Sequence, residues 1–221
     1  MRIRAVSFDL DDTLVERSYV DYFWLDLLPL LYAEQNDLDL EEAKRRVYAY
    51  YDYVGQEDLR WYLPSYWFKR LGIEVELEEI LQELKPLVRP YDDALKVIEL
   101  LGSSYMLAIL TNAAMEFVYV VLDAVPLFKN SFKVILSCVT NFALPRKNER
   151  FYRLALKVMG LSPSELVHVG DDLLYDREVP RRSGVRAFQI DRSGKMGDIS
   201  TLLELPGLLR RLGGSFKNSD A

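Results

Sequence analysis

Short apolar runs alternate with helical patterns between residues 90 and 190, and this alternation restricts the fold more than any other feature of the sequence. Strands are predicted at residues 105–110, 132–138, 166–169 and 185–190. Helices are predicted at residues 92–101, 114–125, 149–159, 176–183 and 200–212. Strands that are separated by helices form parallel sheets with helices on both faces. The sequence therefore predicts an α/β fold built on a three-layer parallel sheet.

The apolar strand predicted at residues 4–8 ends directly in two acids, Asp9 and Asp11. Side chains two residues apart in an extended chain point to the same side, so both carboxylates can face one small volume. Like charges repel at this distance, and a hard divalent cation such as Mg²⁺ removes the conflict because it takes oxygen ligands. One carboxylate could then attack a substrate while the other transfers a proton. The alternative is an acidic turn after a strand, since Asp is common in turns.

A helical block at residues 19–87 interrupts the alternation directly after the first strand. Helices are predicted at residues 19–34, 39–53, 57–71 and 77–87, with Pro64 bending or interrupting the third. A helical block at this place is expected to be an inserted cap. The predicted division is a core of residues 1–16 and 89–213, a helical cap of residues 17–88, and a disordered tail of residues 214–221.

Polar groups also follow the strand predicted at residues 105–110, where Thr111 and Asn112 precede a helix. In open α/β sheets, binding sites form where strands end at their carboxyl edge. A hydroxyl, an amide and free backbone N–H groups at a helix N-terminus can hold a phosphate or an oxyanion. The alternative is an ordinary helix N-cap, which these residue types also favour.

Three carboxylates, Asp171, Asp172 and Asp176, follow the next-to-last predicted strand. Three acids within six residues indicate a cation site, with helix capping as the alternative. Arg146 and Lys147 follow the strand before it and supply the opposite charge. For this basic pair the alternative is a solvated surface patch.

Taken together, these groups are what phosphoryl transfer to water needs: carboxylates, a hydroxyl, a basic side chain and a metal-binding acid pair. The sequence resembles the phosphatases of the haloacid dehalogenase superfamily. FDLDDTL at residues 8–14 matches the family's first motif, Asp-x-Asp-x-Thr, LTN at residues 110–112 matches the second, and VGDDLLYD at residues 169–176 matches the fourth. The helical block lies where the family's type-one cap lies. The resemblance implies a Rossmann-like core with an inserted helical cap.

The resemblance also implies a role for each matched residue. Asp9 would be the nucleophile that forms an aspartyl-phosphate, and Asp11 would protonate the leaving alcohol and then activate water. Thr111 would bind the phosphoryl group, helped by the backbone at Asn112. The expected Mg²⁺ ligands are Asp9, the backbone carbonyl of Asp11, and Asp171, with Asp172 or Asp176 nearby.

The third motif departs from the family pattern, in which a lysine is usually followed by proline. Six residues before the helical aromatic Tyr152 lies Arg146, and Lys147 takes the position of the proline. Either Arg146 replaces the lysine or the loop shifts to present Lys147. The compact charge of Lys147 suits a phosphate and a carboxylate together, so Lys147 is favoured.

The second acid, Asp11, bears on the choice of activity. The family's dehalogenases lack it because halide leaves without a proton, whereas the alkoxide of a phosphate monoester needs one. The predicted function is therefore Mg²⁺-dependent hydrolysis of a small-molecule phosphate monoester. A dehalogenase is the alternative enzyme, and a phospho-accepting receiver or a silent binding protein are the alternatives without turnover.

The predicted cap is unusually aromatic, since all three tryptophans and nine of the fourteen tyrosines lie within residues 19–68. Many fall at helical spacings, which predicts packing between cap helices. The alternative is an aromatic pocket for a planar or sugar-like leaving group. Four residues lie closest to Asp11 along the cap and are expected to contact the leaving group, namely Glu16, Arg17, Ser18 and Tyr19.

Composition restricts the partners and the compartment. The net charge of −6 argues against a nucleic-acid partner, because phosphate backbones attract clustered Lys and Arg. The single cysteine, Cys138, lies in an apolar run and suits a core position in a reducing cytosol. The most apolar early run, residues 20–32, contains two acids and a proline and is too short to cross a bilayer. A cytoplasmic protein with no membrane partner is expected, and His168 is expected to be structural.

Overall fold

A five-stranded parallel sheet forms the centre of the protein in the computed structural model, which describes residues 2–213. Its strands are β1 (Ala5–Phe8), β2 (Met106–Thr111), β3 (Phe132–Ser137), β4 (Leu166–Gly170) and β5 (Arg186–Gln189). The order across the sheet is β3-β2-β1-β4-β5, and every neighbouring pair is parallel. All four residues of β1 are buried, as a central strand covered on both faces requires. The predicted α/β fold is confirmed.

Helices connect the strands and cover both faces of the sheet. Those that follow residue 91 are α6 (Asp92–Gly102), α7 (Met115–Ala124), α8 (Pro126–Ser131), α9 (Cys138–Phe142), α10 (Glu149–Met159), α11 (Val179–Arg182) and α12 (Leu205–Arg211). Single 3₁₀ turns occur at Pro163–Glu165 and Leu202–Glu204, and a π-helical turn at Leu173–Glu178 leads into α11.

The chain between β1 and β2 is helical, as predicted. It contains α1 (Ser18–Tyr22), a π-helical turn (Phe23–Leu27), α2 (Leu28–Asn36), α3 (Leu40–Val54), a 3₁₀ turn (Leu59–Tyr62), α4 (Pro64–Leu71), α5 (Leu77–Leu84) and a second 3₁₀ turn (Lys85–Leu87). Pro64 divides the third predicted helix into the Leu59–Tyr62 turn and α4, which begins at Pro64. Proline fits the first turn of a helix and not its interior. The exact division into core and cap stays a prediction.

Several local predictions were wrong at element ends. Cys138 is buried as expected, but it begins α9 and does not end β3. The predicted helix at residues 114–125 is followed by a second one, because Pro126 starts α8.

No helix within residues 2–213 is long and apolar enough to cross a membrane. The tail predicted to be disordered, residues 214–221, lies outside the described residues.

Candidate active site

The carboxyl ends of three adjacent strands open into one cavity of about 450 Å³. Asp9 follows the central strand β1, Thr111 ends β2 and Asp171 follows β4, and all three side chains line this cavity. The register explains why they meet, since Phe8 pairs with Ile109 on one side and with Val169 on the other. The parallel sheet thus brings together acids that lie about 160 residues apart in sequence.

Lys147 is the basic side chain that reaches the acids. It is 1% exposed, and its Nζ donates to Asp9 Oδ1 and to Asp176 Oδ1. Burial lowers the pKa of the ammonium, but Asp176 and Asp9 outweigh burial and raise it well above its ordinary value. Lys147 is therefore charged, and its charge is shared by two carboxylates.

Arg146 points away from this ion pair. Its guanidinium donates to the hydroxyl of Tyr175 over 2.5 Å and to Gln56 Oε1 over 2.8 Å. The two alternatives for the third motif are thus separated in space, with Lys147 at the acids and Arg146 facing the helical block.

Thr111 and Asn112 do not cap α7, because its N-cap is Ala114. Thr111 Oγ1 instead accepts from the backbone N–H of Ala113 over 3.1 Å. Asn112 Oδ1 accepts from the backbone N–H of Lys147 over 2.8 Å. The amide therefore holds the loop that carries the buried lysine, and the N-cap alternative is wrong.

Asp11 lies in a tight turn that also carries a strained residue. Asp12 has a φ of 56°, in the left-handed region, and its N–H donates to the carbonyl of Val15 over 2.7 Å. The hydroxyl of Tyr19 donates to Asp11 Oδ1 over 2.9 Å. Burial raises the pKa of Asp11 to about 6, although the hydrogen bond from Tyr19 opposes the rise. A carboxyl with this pKa can be both proton donor and acceptor near neutral pH.

Asp9, Asp171 and Asp176 form a group that could hold a metal ion, with one carboxylate oxygen from each within 4.8 Å of the others. Burial, and then the charge of Asp176, raise the pKa of Asp171 to about 7, and burial raises that of Asp9 well above its ordinary value. Lys147 opposes both shifts, and a further cation beside these oxygens would favour their ionised forms more strongly. The oxygen donors fit a hard divalent ion.

Asp172 takes a different position from its neighbours. Its Oδ1 accepts from the backbone N–H groups of Leu174 and Tyr175, both at 2.8 Å, so the side chain is an N-cap. Of the two acids expected near the metal, the one that joins the group is Asp176. Its close approach requires Gly170, because a Cβ there would lie 2.3 Å from Asp176 Cγ.

His168 supports Asp176 from inside the sheet, a contact that sequence reasoning missed. Its Nε2 lies 3.0 Å from Asp176 Oδ1 and its Nδ1 lies 2.8 Å from Ser7 Oγ. Burial lowers the pKa of His168, so the ring is neutral and donates from Nε2 while Ser7 donates to Nδ1. Burial raises the pKa of Asp176, but Lys147 and His168 outweigh it and hold the pKa at about 2. The histidine is thus structural, as predicted, and positions an acid of the site.

Arg192 was not singled out in the sequence, although it holds the turn after Asp11. Its guanidinium donates to the carbonyls of Asp12 and Thr13 over 3.2 and 2.6 Å, and to Asp93 over 3.0 Å. Its carbon lies 3.5 Å from the centre of the Tyr91 ring. The contacts to Asp12 and Thr13 join residues about 180 positions apart, and those to Asp93 and Tyr91 join residues about 100 positions apart. No local pattern signals them.

Of the four residues expected to contact a leaving group, Arg17 lines the cavity. Its Nε donates to both oxygens of Asp21, over 3.0 and 3.1 Å. Tyr19 is fully buried and contacts Asp11. Glu16 and Ser18 are exposed, and the N–H of Glu16 donates to the carbonyl of Arg89 where the two ends of the helical block meet.

The aromatic residues of the helical block do two things. Trp67 and Phe23 are fully buried in packing contacts. Four others from the block line the cavity, namely Trp24, Tyr51, Trp61 and Tyr62. Phe117 of α7 also lines it, with its ring centre 5.6 Å from that of Trp24. Some aromatic residues of the helical block therefore pack between helices and others line the cavity, so both alternatives occur.

An acid pair at the end of a central strand, a buried lysine and a second acid group at the adjacent strand define a hydrolase site on a Rossmann-like sheet. The sequence model of haloacid dehalogenase-like hydrolases matches residues 3–184, and the chain belongs to that family. Two curated relatives are GMP/IMP nucleotidases named YrfG, from Escherichia coli (strain K12) and Shigella flexneri. Each is 26% identical over 170 residues, which cover 76% of this chain and 74% of the relative.

Solved structures show the same fold. A HAD phosphatase from Thermococcus onnurineus superimposes with a TM-score of 0.79 at 24% identity, covering 94% of this chain and 98% of its own. A 2-haloacid dehalogenase from Pseudomonas syringae pv. Tomato DC3000 superimposes with a TM-score of 0.66 at 22% identity, covering 95% of this chain and 99% of its own. Likeness at this level of identity establishes the fold, which phosphatases and dehalogenases share.

Proposed function

We propose that this hydrolase is a Mg²⁺-dependent phosphatase that cleaves a small-molecule phosphate monoester through an aspartyl-phosphate. The observation that carries the proposal is the placement of Asp9. Its carboxylate is held by the buried Lys147, faces the cavity, and lies two residues from Asp11, whose pKa is raised by burial to about 6. A nucleophile beside a proton donor is what transfer from an alcohol requires.

Asp9 and Asp11 divide the reaction into two steps. In the first step a carboxylate oxygen of Asp9 attacks phosphorus, the bond from phosphorus to the leaving oxygen breaks, and Asp11 donates its proton to that oxygen. In the second step Asp11 takes a proton from water, and the water oxygen attacks phosphorus. The bond between phosphorus and Asp9 then breaks, which releases inorganic phosphate and restores the nucleophile.

The other polar groups hold the phosphoryl group and balance its charge. Lys147 and the hydroxyl of Thr111 line the same cavity as Asp9 and are proposed to bind phosphoryl oxygens. Asp9, Asp171 and the backbone carbonyl of Asp11 are proposed to hold Mg²⁺, with Asp176 fixing Lys147. When bound, the ion would supply positive charge to the transferred group.

We propose a nucleoside monophosphate as the substrate class. The part of the cavity beyond the acids has aromatic walls from Trp24, Trp61, Tyr62 and Phe117, which suit a flat base. Arg17, which lines the cavity, is neutralised by Asp12 and Asp21, and this disfavours a leaving group with a second phosphate or a carboxylate. The curated relatives are named for GMP and IMP, which are nucleotides of this kind.

The compartment and partners are proposed on composition. A net charge of −6 and a single, buried cysteine favour a cytoplasmic enzyme with a small-molecule substrate and no nucleic-acid partner.

Phosphate release tests the proposal. The wild-type protein would be incubated with IMP, GMP, AMP or p-nitrophenyl phosphate, with Mg²⁺ or with EDTA. Asp9→Asn would be compared with Asp92→Asn, a matched change at an exposed position. We expect turnover that needs both Mg²⁺ and Asp9 and is unaffected at Asp92. Phosphate release by Asp9→Asn at the wild-type rate would refute the proposed phosphatase activity. Halide release from a 2-haloacid, with no phosphate released from any ester, would refute it as well.

A further inference from the structure

We propose that Arg146 is a positioning residue that fixes one wall of the cavity and so sets the preference for large leaving groups. The wall consists of Gln56, Trp61 and Tyr62, called here the 56–62 wall. The inference rests on the proposed phosphatase function, because the wall can select only what the acids cleave.

Arg146 joins the wall to the core through one planar group. On the wall side, its Nη2 donates to Gln56 Oε1 over 2.8 Å and lies 3.1 Å from Glu57 Oε1. On the core side, its Nη1 donates to the hydroxyl of Tyr175 over 2.5 Å, and its carbon lies 5.4 Å from the centre of that ring. Only a guanidinium has donors spread widely enough to serve both sides at once.

The core side of this bridge is firmly held. Tyr175 directly precedes Asp176, which is bonded to Lys147 and His168. The carbonyl of Tyr175 accepts from the hydroxyl of Tyr152 over 2.7 Å, and Tyr152 is fully buried. Arg146 therefore connects the wall to a rigid part of the acid site.

The wall side has contacts of its own at Trp61, whose carbonyl accepts from Trp67 Nε1 over 3.0 Å and whose ring centre lies 5.6 Å from that of Tyr51. Gln56 lies between Gly55, which has a φ of 73°, and the Leu59–Tyr62 turn, and its side-chain oxygen is held by Arg146. The internal bonds of the wall include the hydroxyl of Tyr62 to the carbonyl of Gln56, over 3.1 Å. Burial raises the pKa of Tyr62, and the nearby charge of Arg146 opposes that rise. Tyr62 is thus bonded to the backbone of Gln56, the residue whose side chain Arg146 holds.

Gln56 Oε1 is occupied by Arg146, so the bridge also fixes which way the amide points. An amide whose oxygen is engaged offers its NH₂ as a donor. The wall therefore combines aromatic faces with a donor, a combination suited to a base that carries a ring carbonyl. Loss of Arg146 would free the amide as well as the backbone.

Hydrogen–deuterium exchange tests the positioning role without relying on activity. Arg146→Gln would be compared with Arg150→Gln, a matched loss of charge at an exposed position on α10. We expect backbone amides of residues 55–63 to exchange at least about ten-fold faster in Arg146→Gln, while the strands and the Arg150→Gln protein stay unchanged. Unchanged exchange at residues 55–63 in a folded Arg146→Gln protein would overturn the inference.

Kinetics with two leaving groups test the consequence for selectivity. We expect Arg146→Gln to raise KM for IMP about ten-fold and to leave kcat/KM for acetyl phosphate within two-fold, because acetate is too small to need the wall. Gln56→Ala should give the same pattern. The Gln56→Ala, Arg146→Gln double variant should lose no more kcat/KM for IMP than either single variant. Equal losses of kcat/KM for IMP and for acetyl phosphate would indicate that Arg146 acts at the phosphoryl group, and this result would overturn the inference. Failure of the wild type to hydrolyse acetyl phosphate in an Asp9-dependent way would instead count against the proposed function.

Discussion

The hydroxyl of Tyr19, on the first helix after the motif strand, donates a hydrogen bond of 2.9 Å to Asp11 Oδ1. Tyr19 is fully buried and Asp11 is partly buried at the edge of the cavity, so the bond is shielded from solvent on the side of Tyr19. It orients the carboxyl that is proposed to donate a proton to the leaving group. The helical block thereby contacts the proposed catalytic acid directly as well as lining the cavity.

Replacement of Tyr19 by Phe should affect proton transfer more than attack by Asp9. A hydrogen bond worth about 1 kcal/mol predicts a fall of roughly five-fold in kcat/KM for IMP. The kcat/KM for acetyl phosphate should be unchanged, because acetate leaves without a proton. Tyr22→Phe, on the exposed side of the same helix, is the control. Equal losses for the two substrates would contradict the assignment of Asp11 as the acid.

The neighbouring acids Asp171 and Asp172 should behave differently towards metal. Asp171→Asn removes a charge from the buried group and should raise the Mg²⁺ concentration for half-maximal activity more than about ten-fold. Asp172→Asn should leave it within two-fold, because Asn caps a helix as well as Asp. The rise in melting temperature on adding Mg²⁺ gives a second readout. Equal effects of the two substitutions would be inconsistent with the proposed ligand set.

Removal of Lys147 should cost both activity and stability. Lys147→Met leaves Asp9 and Asp176 buried without their shared cation, and breaking a buried pair costs about 3–5 kcal/mol. Activity should fall at least about 10²-fold with the loss of a charge at the phosphoryl group. Lys157→Met, at an exposed position on α10, is the control. Urea unfolding in EDTA measures the loss of stability, and a urea unfolding curve equal to that of Lys157→Met would contradict the predicted pairing.

The contacts of Asp93 predict how stability depends on pH. Burial raises its pKa, but hydrogen bonds from Arg192, Thr201 and the N–H of Leu202 outweigh burial and leave the pKa below its ordinary value. A lowered native pKa stabilises the protein above the unfolded pKa of about 3.9, and the contribution is lost as the pH falls through the native pKa.

Asp93→Asn should therefore lower the free energy of unfolding by about 1–3 kcal/mol at pH 7. The difference from wild type should shrink below about pH 4, where the wild-type carboxyl takes up its proton. Urea unfolding across this range, with Asp92→Asn as the control, measures both. A difference that stays constant with pH would exclude the charged Asp93–Arg192 pair as its cause.

The sheet and the candidate acids could be predicted because their signals are local. Apolar runs bounded by helical patterns mark parallel strands, and polar residues at strand ends must meet at one edge of the sheet. Asp9, Thr111 and Asp171 meet there for this reason. The helical block was recognisable because several helices follow the first strand before the second strand begins.

Contacts through space could not be predicted from the same signals. Arg146 and Lys147 are adjacent and both basic, and only the loop held by Asn112 decides which of them faces Asp9. Asp172 and Asp176 are likewise distinguished by Gly170. Because Gly170 has no side chain, the carboxylate of Asp176 can pack against its backbone. These choices depend on packing between segments far apart in sequence.

Direct mapping of the phosphorylated residue tests the central claim most sharply. Asp11→Asn would be mixed with acetyl phosphate and Mg²⁺, quenched in acid, digested and analysed by mass spectrometry. The leaving acetate needs no proton, whereas Asp11 is proposed to be the base for release of the enzyme-bound phosphoryl group, so the phosphoenzyme should accumulate. The account predicts one phosphoryl group on Asp9, lost in the Asp9→Asn, Asp11→Asn double variant. A phosphoryl group on another residue, or turnover with an unmodified Asp9 at every time point, would contradict it.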